Sequence, residues 1–240
     1  PEIIRDVWLI MQKTLGVNDP LKKMKEAQNK VVMKIYPYAK KFILKSPDPL
    51  LESIKFSISG NSIDIMTGST KNPSKKIIKT LQSGSIDLKQ VEVLKERLAR
   101  TKKLVYLGDN CGEIVFDKLL METIREKYNL EMTFVTRTIP VLNDATKEDA
   151  LYVGIDKVAP VICNGISEPL PGTMLEKASY ELMKLINESD LVISKGGGNY
   201  DSLTEEKRLM GKCTFLLQAK CDPYCIIHQT RLGSLIVHNF

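Results

Sequence analysis

Two rhythms of apolar and polar residues divide the chain. Through about residue 100 the apolar positions recur at three- and four-residue spacings, the period of a helix with one face in a core. Ile4, Val7 or Trp8, Met11 and Leu15 form a first stripe, ended by the turn chemistry of Gly16-Val-Asn-Asp-Pro20. Met24, Ala27, Val31 and Ile35 form a second. Pro37 interrupts it, and Ala39, Phe42 and Ile43 suggest a short third helix. Pro47 and Pro49 precede Leu50, Ile54 and Ile58, a helix with proline in its first turn. Ile77, Ile78 and Leu81 suggest one more turn or two. Leu88, Val91, Leu94 and Leu98 mark a last helix, capped by Ser85 or Asp87. These stripes are expected to be core faces.

From about residue 101 the pattern alternates. Strand-like runs are Leu104–Leu107, Met132–Thr136, Val158–Cys163, Leu191–Ser194, Thr214–Leu217 and Ser234–Val237. Helical stretches lie between them, at Glu113–Lys127, about Lys147–Val153, Met174–Asn187 and about Ser202–Met210. Strand–helix alternation predicts an α/β fold with a mostly parallel sheet and helices on its faces. The order of the strands is not legible in this pattern.

Polar residues collect just past each strand. Asp109, Asn110 and Glu113 follow the first; Arg137, Asn143 and Asp144 the second; Asn164 and Gly165 the third. Lys195, Gly196-Gly-Gly198 and Asn199 follow the fourth, and Lys220 and Asp222 the fifth. In a parallel sheet all these ends share one edge, where ligands bind. Each cluster alone is ordinary loop composition, and Asp109 or Asn110 could simply cap the helix that follows. Five in succession exceed that. Asp109, Asn110 and Asp144 supply three hard oxygen donors suited to Mg²⁺ or Mn²⁺, with positions left for water and substrate. Lysines suit phosphate, and the glycine triplet lets backbone N–H groups approach an anion near a helix start. Together these describe phosphoryl transfer or phosphate-ester hydrolysis.

Composition narrows the field. A chain of 240 residues, 43% hydrophobic and 27% charged, is long enough for one large domain or two smaller ones. The net charge of +6 is spread over scattered lysines, without a basic block or interleaved aromatics. That argues against nucleic acid as the partner and fits an anionic small substrate. No apolar run reaches a membrane span. Pro1–Gly16 mixes Glu2, Arg5 and Asp6 with its apolar residues, an amphipathic helix and not a signal peptide, so the expected compartment is the cytoplasm. Five cysteines at irregular spacing give no disulfide framework, and free buried thiols are the default. Cys221-x-x-x-Cys225, with His228 and His238, is only a loose zinc pattern.

Familiar catalytic signatures are missing. There is no phosphate-binding G-x-x-x-x-G-K-[ST], no G-x-G-x-x-G after the first strand, and no G-x-S-x-G elbow. Other stretches do match a family. Gly108-Asp-Asn-Cys-Gly-Glu113 resembles the Asp-Asn-Ala-Gly-Glu signature of the domain of unknown function 89 family, the metal-dependent damage-control phosphatases. Leu142-Asn-Asp-Ala-Thr146 with Glu148 and Asp149, the run Asp190–Leu203, and Ala219-Lys-Cys221 resemble its later motifs in order. Asp19–Asn29 and Ser59-Gly-Asn-Ser-Ile-Asp64 resemble its helical-domain motifs, so the likeness covers nearly the whole chain.

The resemblance implies an N-terminal helical domain, residues 1–100, and a three-layer α/β/α domain, residues 101–240. It implies hydrolysis of small phosphorylated metabolites with Mn²⁺, Co²⁺, Ni²⁺ or Mg²⁺. Asp109, Asn110 and Asp144 carry over as metal ligands and catalytic residues, with Lys195 at the head of the third motif. Glu113, Gly197, Asn199 and Lys220 carry over as substrate-binding positions, and Asn61 and Asp64 as residues lining the site. Water is favoured over Asp109 as nucleophile, since a carboxylate bound to a cation is a poor one. Three departures stand out. A Cys-x-x-Cys frequent near the family's N-terminus has no counterpart after Pro1, Cys111 replaces a commoner alanine, and Asp201 stands where glutamate or arginine occurs. Alternatives are an S-adenosylmethionine-dependent carboxyl methyltransferase, for which no dedicated glycine loop is evident, and a non-catalytic phosphometabolite-binding protein. Oligomeric state and physiological substrate are not legible.

Overall fold

The computed structural model describes residues 1–60 and 84–240. Helices α1 (Glu2–Leu15), α2 (Lys22–Lys45), α3 (Pro49–Gly60) and α4 (Leu88–Arg100) precede the sheet. Then follow β1 (Lys103–Leu107), α5 (Glu113–Lys127), β2 (Glu131–Thr136), α6 (Lys147–Val153), β3 (Val161–Cys163) and α7 (Tyr180–Glu188). The chain closes with β4 (Leu191–Lys195), α8 (Gly196–Leu203), β5 (Cys213–Gln218), α9 (Asp222–Ile227) and β6 (Leu235–Asn239).

The six strands lie in the order β3-β2-β1-β4-β5-β6. All neighbours are parallel except β6, which runs antiparallel to β5. The order reverses between β1 and β4, so a crevice opens at the carboxyl ends of those two strands. Period-two alternation divides the core. Leu104, Tyr106, Phe134, Ile193 and Leu216 face one way and pack with α2 to α6. Val105, Leu107, Val135, Val192 and Phe215 face the other way and pack with α7 and α8. The result is the expected α/β architecture, a mostly parallel sheet between two helical layers.

Several elements differ from the sequence reading. Helix α2 is one 24-residue helix that runs through Pro37. Its buried face is Lys25, Gln28, Asn29, Val32, Ala39 and Ile43, not the stripe through Met24, Ala27, Val31 and Ile35. Three of those buried residues are polar, so apolar spacing alone does not mark this face. The α1 stripe is largely exposed: only Trp8 is buried, held by its Nε1 donating to Pro140 O at 2.9 Å. β3 starts only at Val161, because Ile155–Lys157 forms a 3₁₀ turn and Pro160 has no N–H to give a ladder. The expected helix over 174–187 is split by Ser179, whose hydroxyl caps α7 by accepting from Leu182 N. The expected helix near 202–210 starts earlier, at Gly196, and ends at Leu203. Of the five free cysteines only Cys111 and Cys213 are buried. The expected turns at Ile77–Leu81 lie outside the described residues. Among the described residues no helix is long and apolar enough to cross a membrane.

Candidate active site

The site is built by a short backbone ladder at the sheet edge. Beyond β1 the chain passes Gly108, where a Cβ would meet the Phe134 ring at 2.5 Å, so only glycine fits. Asn110 and Asp144 then pair as an isolated antiparallel bridge. Ala145 N donates to Asp109 O at 2.7 Å and Cys111 N to Asn143 O at 2.9 Å. These two rungs tie the loop after β1 to the loop after β2. They set Asp109, Asn110 and Asp144 side by side, 35 positions apart in sequence as they are, counted from Asp109 to Asp144. All three are buried.

Both loops are fixed from behind. Asn29 of α2 accepts from Gly112 N at 2.6 Å and donates to Asp149 Oδ1 at 3.2 Å. Asp149 in turn accepts from the backbone and hydroxyl of Thr146, starting α6, and pairs with Lys25 at 3.3 Å. Gly112 itself has φ 79°, and a side chain there would meet Gln28.

Arg137, the residue after β2, occupies the centre. Its Nε donates to Asp144 Oδ2 at 2.6 Å and its Nη2 lies 3.4 Å from Asp109 Oδ1. Nη1 donates to Thr173 Oγ1 at 2.9 Å and to Asn199 Oδ1 at 3.1 Å. The Asn199 amide donates onward to Gly108 O and Lys195 O. Asn199 is thus a brace between β1, α8 and Arg137. Arg137 stands among the strand-end polar residues with no motif to give it a role, and Thr173 lies in no motif at all.

Lys195 lies elsewhere than its expected place beside a phosphate. Its ammonium is fully buried on the α3–α5 face, where it pairs with Glu113, with Asp117 Oδ1 at 2.8 Å and with Ser57 O at 2.9 Å. Tyr106 and Ser57 also donate to Asp117. Glu113, expected at the substrate, is the buried partner of that lysine. Burial raises the Glu113 carboxyl to about 7 against the pull of Lys195. Burial alone would lower Lys195, but Asp117 and Glu113 outweigh it and hold the ammonium above its usual range.

The glycine triplet is the first turn of α8 and not a loop. Gly196 has φ 78°, and a Cβ on it would collide with the Asp109 carboxylate. Gly197 is half-buried beneath Tyr224 Oη, which donates to Asp201 at 2.9 Å. Lys220 is exposed, and its charge acts on both Asp109 and Glu113. Asn61 and Asp64 lie outside the described residues.

The donor set suits a hard divalent cation. Burial, then Asp144, then Glu113 push the Asp109 carboxyl well above its usual range, against Arg137 and Lys220. Two desolvated carboxylates side by side, with an amide between them, are stabilised by a cation. Among the described residues no cluster of three or more His, Cys, Asp or Glu side chains could hold a metal. A cation here would have to rest on Asp109, Asp144 and the Asn110 amide oxygen, with coordination positions left for water or substrate oxygens.

An acid–amide–acid cluster at the switch point, beside the first turn of α8, defines the candidate site of this α/β protein. The comparisons agree with that class. The damage-control phosphatase ARMT1-like domain matches residues 3–236. An uncharacterized protein of Methanocaldococcus jannaschii is 36% identical, over 92% of this chain and 78% of its own length. Damage-control phosphatases of Archaeoglobus fulgidus and Pyrococcus horikoshii are 34% and 32% identical, over 92% and 96% of this chain and 76% and 78% of theirs. The crystal structure of a domain of unknown function 89 family protein from Pyrococcus horikoshii superposes with a TM-score of 0.83 at 31% identity, over 98% of this chain and 80% of that one. The chain belongs to the damage-control phosphatase ARMT1-like family.

Proposed function

We propose that the chain is a metal-dependent phosphatase that hydrolyses small phosphorylated metabolites, sugar phosphates or related damaged compounds. The observation that carries this reading is the two-rung ladder that aligns Asp109, Asn110 and Asp144 at the crevice between β1 and β4. Those three side chains would hold Mn²⁺, Co²⁺, Ni²⁺ or Mg²⁺. When bound, such an ion supplies Lewis acidity at a phosphoryl oxygen and activates water.

The rest of the chemistry falls to the chain. The first turn of α8, which lies beside Asp109, would offer its positive backbone dipole to an anion. Exposed Lys220, two residues past β5, supplies a positive charge for the phosphate or its attached group. Gly196 packs against Asp109 and fixes the direction in which its carboxylate faces. Asn199 and Arg137 hold the two carboxylate loops to α8.

The test is a panel of sugar phosphates and p-nitrophenyl phosphate, assayed with each of the four ions and in chelator. Release of phosphate with at least one ion and none in chelator supports the reading. Turnover that persists in chelator would overturn the metal requirement. Tight, metal-independent binding of S-adenosylmethionine in a calorimeter, with no phosphate release from any compound, would favour the methyltransferase instead.

A further inference from the structure

We infer that Arg137 sets the charge of the site: a fixed internal cation, held between Asp109, Asp144 and Asn199, that makes the cation-loaded site one unit more positive for a phosphate dianion. This deepens the phosphatase reading and rests on it.

The geometry comes first. One planar guanidinium touches four segments that follow different strands: Asp109 after β1, Asp144 after β2, Thr173 after β3 and Asn199 in α8. It is 4% exposed, and Thr173 and Asn199 are wholly buried. A fork of fixed donors can serve four acceptors at once, and a lysine ammonium on a flexible stem cannot.

Charge comes second. Ionised, as they must be to hold a cation, the carboxylates of Asp109 and Asp144 outnumber the guanidinium by one. A divalent cation reverses that and leaves a single positive charge, in a site where burial makes each charge count for more. Take Arg137 away, and the same loaded cluster is neutral. The buried lysines do not make up the difference, because Lys195 is held between Glu113 and Asp117 and Lys25 between Asp19 and Asp149. Lys220 is exposed and screened by solvent. The buried share of the electrostatic preference for a dianion therefore comes from Arg137, and exposed Lys220 adds a weaker, screened share.

The two ligands should respond to its loss differently. The guanidinium repels an incoming dication and attracts a dianion. In R137Q the amide still donates a hydrogen bond within the cluster, but the charge is gone. Calorimetry on the full chain, with Mn²⁺ alone and then with inorganic phosphate at saturating Mn²⁺, separates the two effects. R137Q is expected to take up Mn²⁺ no more weakly than wild type, and to bind phosphate at least about tenfold more weakly, roughly 1.4 kcal/mol. Parallel loss of both ligands from folded protein would make Arg137 merely structural, and unchanged phosphate affinity would remove its charge role. Either result overturns the inference. Should R137Q not fold, R137K and R137M, which both lose the fork, are compared: phosphate bound at least about threefold more tightly by R137K supports the charge role, and any smaller difference overturns it. Wild type that binds neither ligand would instead refute the phosphatase reading itself, before any variant is made.

Discussion

Asn29 Oδ1 accepts the Gly112 amide hydrogen at 2.6 Å, across 83 positions of sequence. The same side chain donates to Asp149. One residue of α2 thereby holds the start of α5 and the start of α6, the two helices that follow the ladder. Asn29→Ala leaves a buried N–H and a buried carboxylate short of a partner. It is expected to lower the unfolding free energy by about 2 kcal/mol. Urea denaturation measures this, and a loss under about 0.5 kcal/mol would mean that the clamp contributes little.

Lys195 and its two acids form a second buried unit. Lys195→Met strands two carboxylates in the core and is expected to cost about 3–5 kcal/mol. Replacing all three, as Lys195→Met with Glu113→Gln and Asp117→Asn, should recover much of that loss, because no net charge then remains buried. Chemical denaturation of the single and triple variants distinguishes this account from one in which the lysine side chain matters mainly for its packing.

Gly196 has no room for a side chain. Gly196→Ala must shift either the first turn of α8 or the Asp109 carboxylate, and its φ of 78° adds strain of about 1–2 kcal/mol. Mn²⁺ affinity measured by calorimetry should fall while the far-ultraviolet circular dichroism stays that of the wild type. Wild-type affinity in this variant would show that Asp109 does not depend on the glycine.

The two histidines predict a pH response away from the site. His228 and His238 meet edge to face beside Tyr200, with ring centroids 5.1 Å apart. Burial and then His238 lower His228, and burial and then Arg97 lower His238. Both imidazoles are therefore neutral in the fold at a pH where the unfolded chain, titrating near 6.5, already binds protons. Their effect on stability is absent well above pH 6.5 and appears as a progressive loss as the pH falls through it. His228→Phe should flatten this part of a thermal-melting profile against pH; an unchanged slope would rule out His228 as its source.

Much of this was legible because strand ends are readable one at a time. The apolar runs at Leu104–Leu107 and Leu191–Ser194 name their own strands, and Asp109 and Asn110 follow directly. The direction of Lys195 was not legible. Its partners, Glu113 and Asp117, stand 82 and 78 positions away, and an ion pair at that separation has no local signature. Arg137 stood in plain view at a strand end, but its role comes from the reversal of strand order that brings four loops together. Helix α2 misled for a different reason. A mid-helix proline costs about 3 kcal/mol and ordinarily ends a helix, yet here Val32, Ala39 and Ile43 are packed on both sides of Pro37 and carry the helix through.

The central claim is that Asp109, Asn110 and Asp144 hold a cation on which hydrolysis depends. The direct measurement is phosphate release from p-nitrophenyl phosphate by chelator-treated protein, before and after Mn²⁺ is restored, in wild type and Asp144→Ala. The account predicts no release in chelator, recovery with Mn²⁺ in wild type, and no recovery in the variant. Full activity in chelator, or recovery in Asp144→Ala equal to that of wild type, would contradict it.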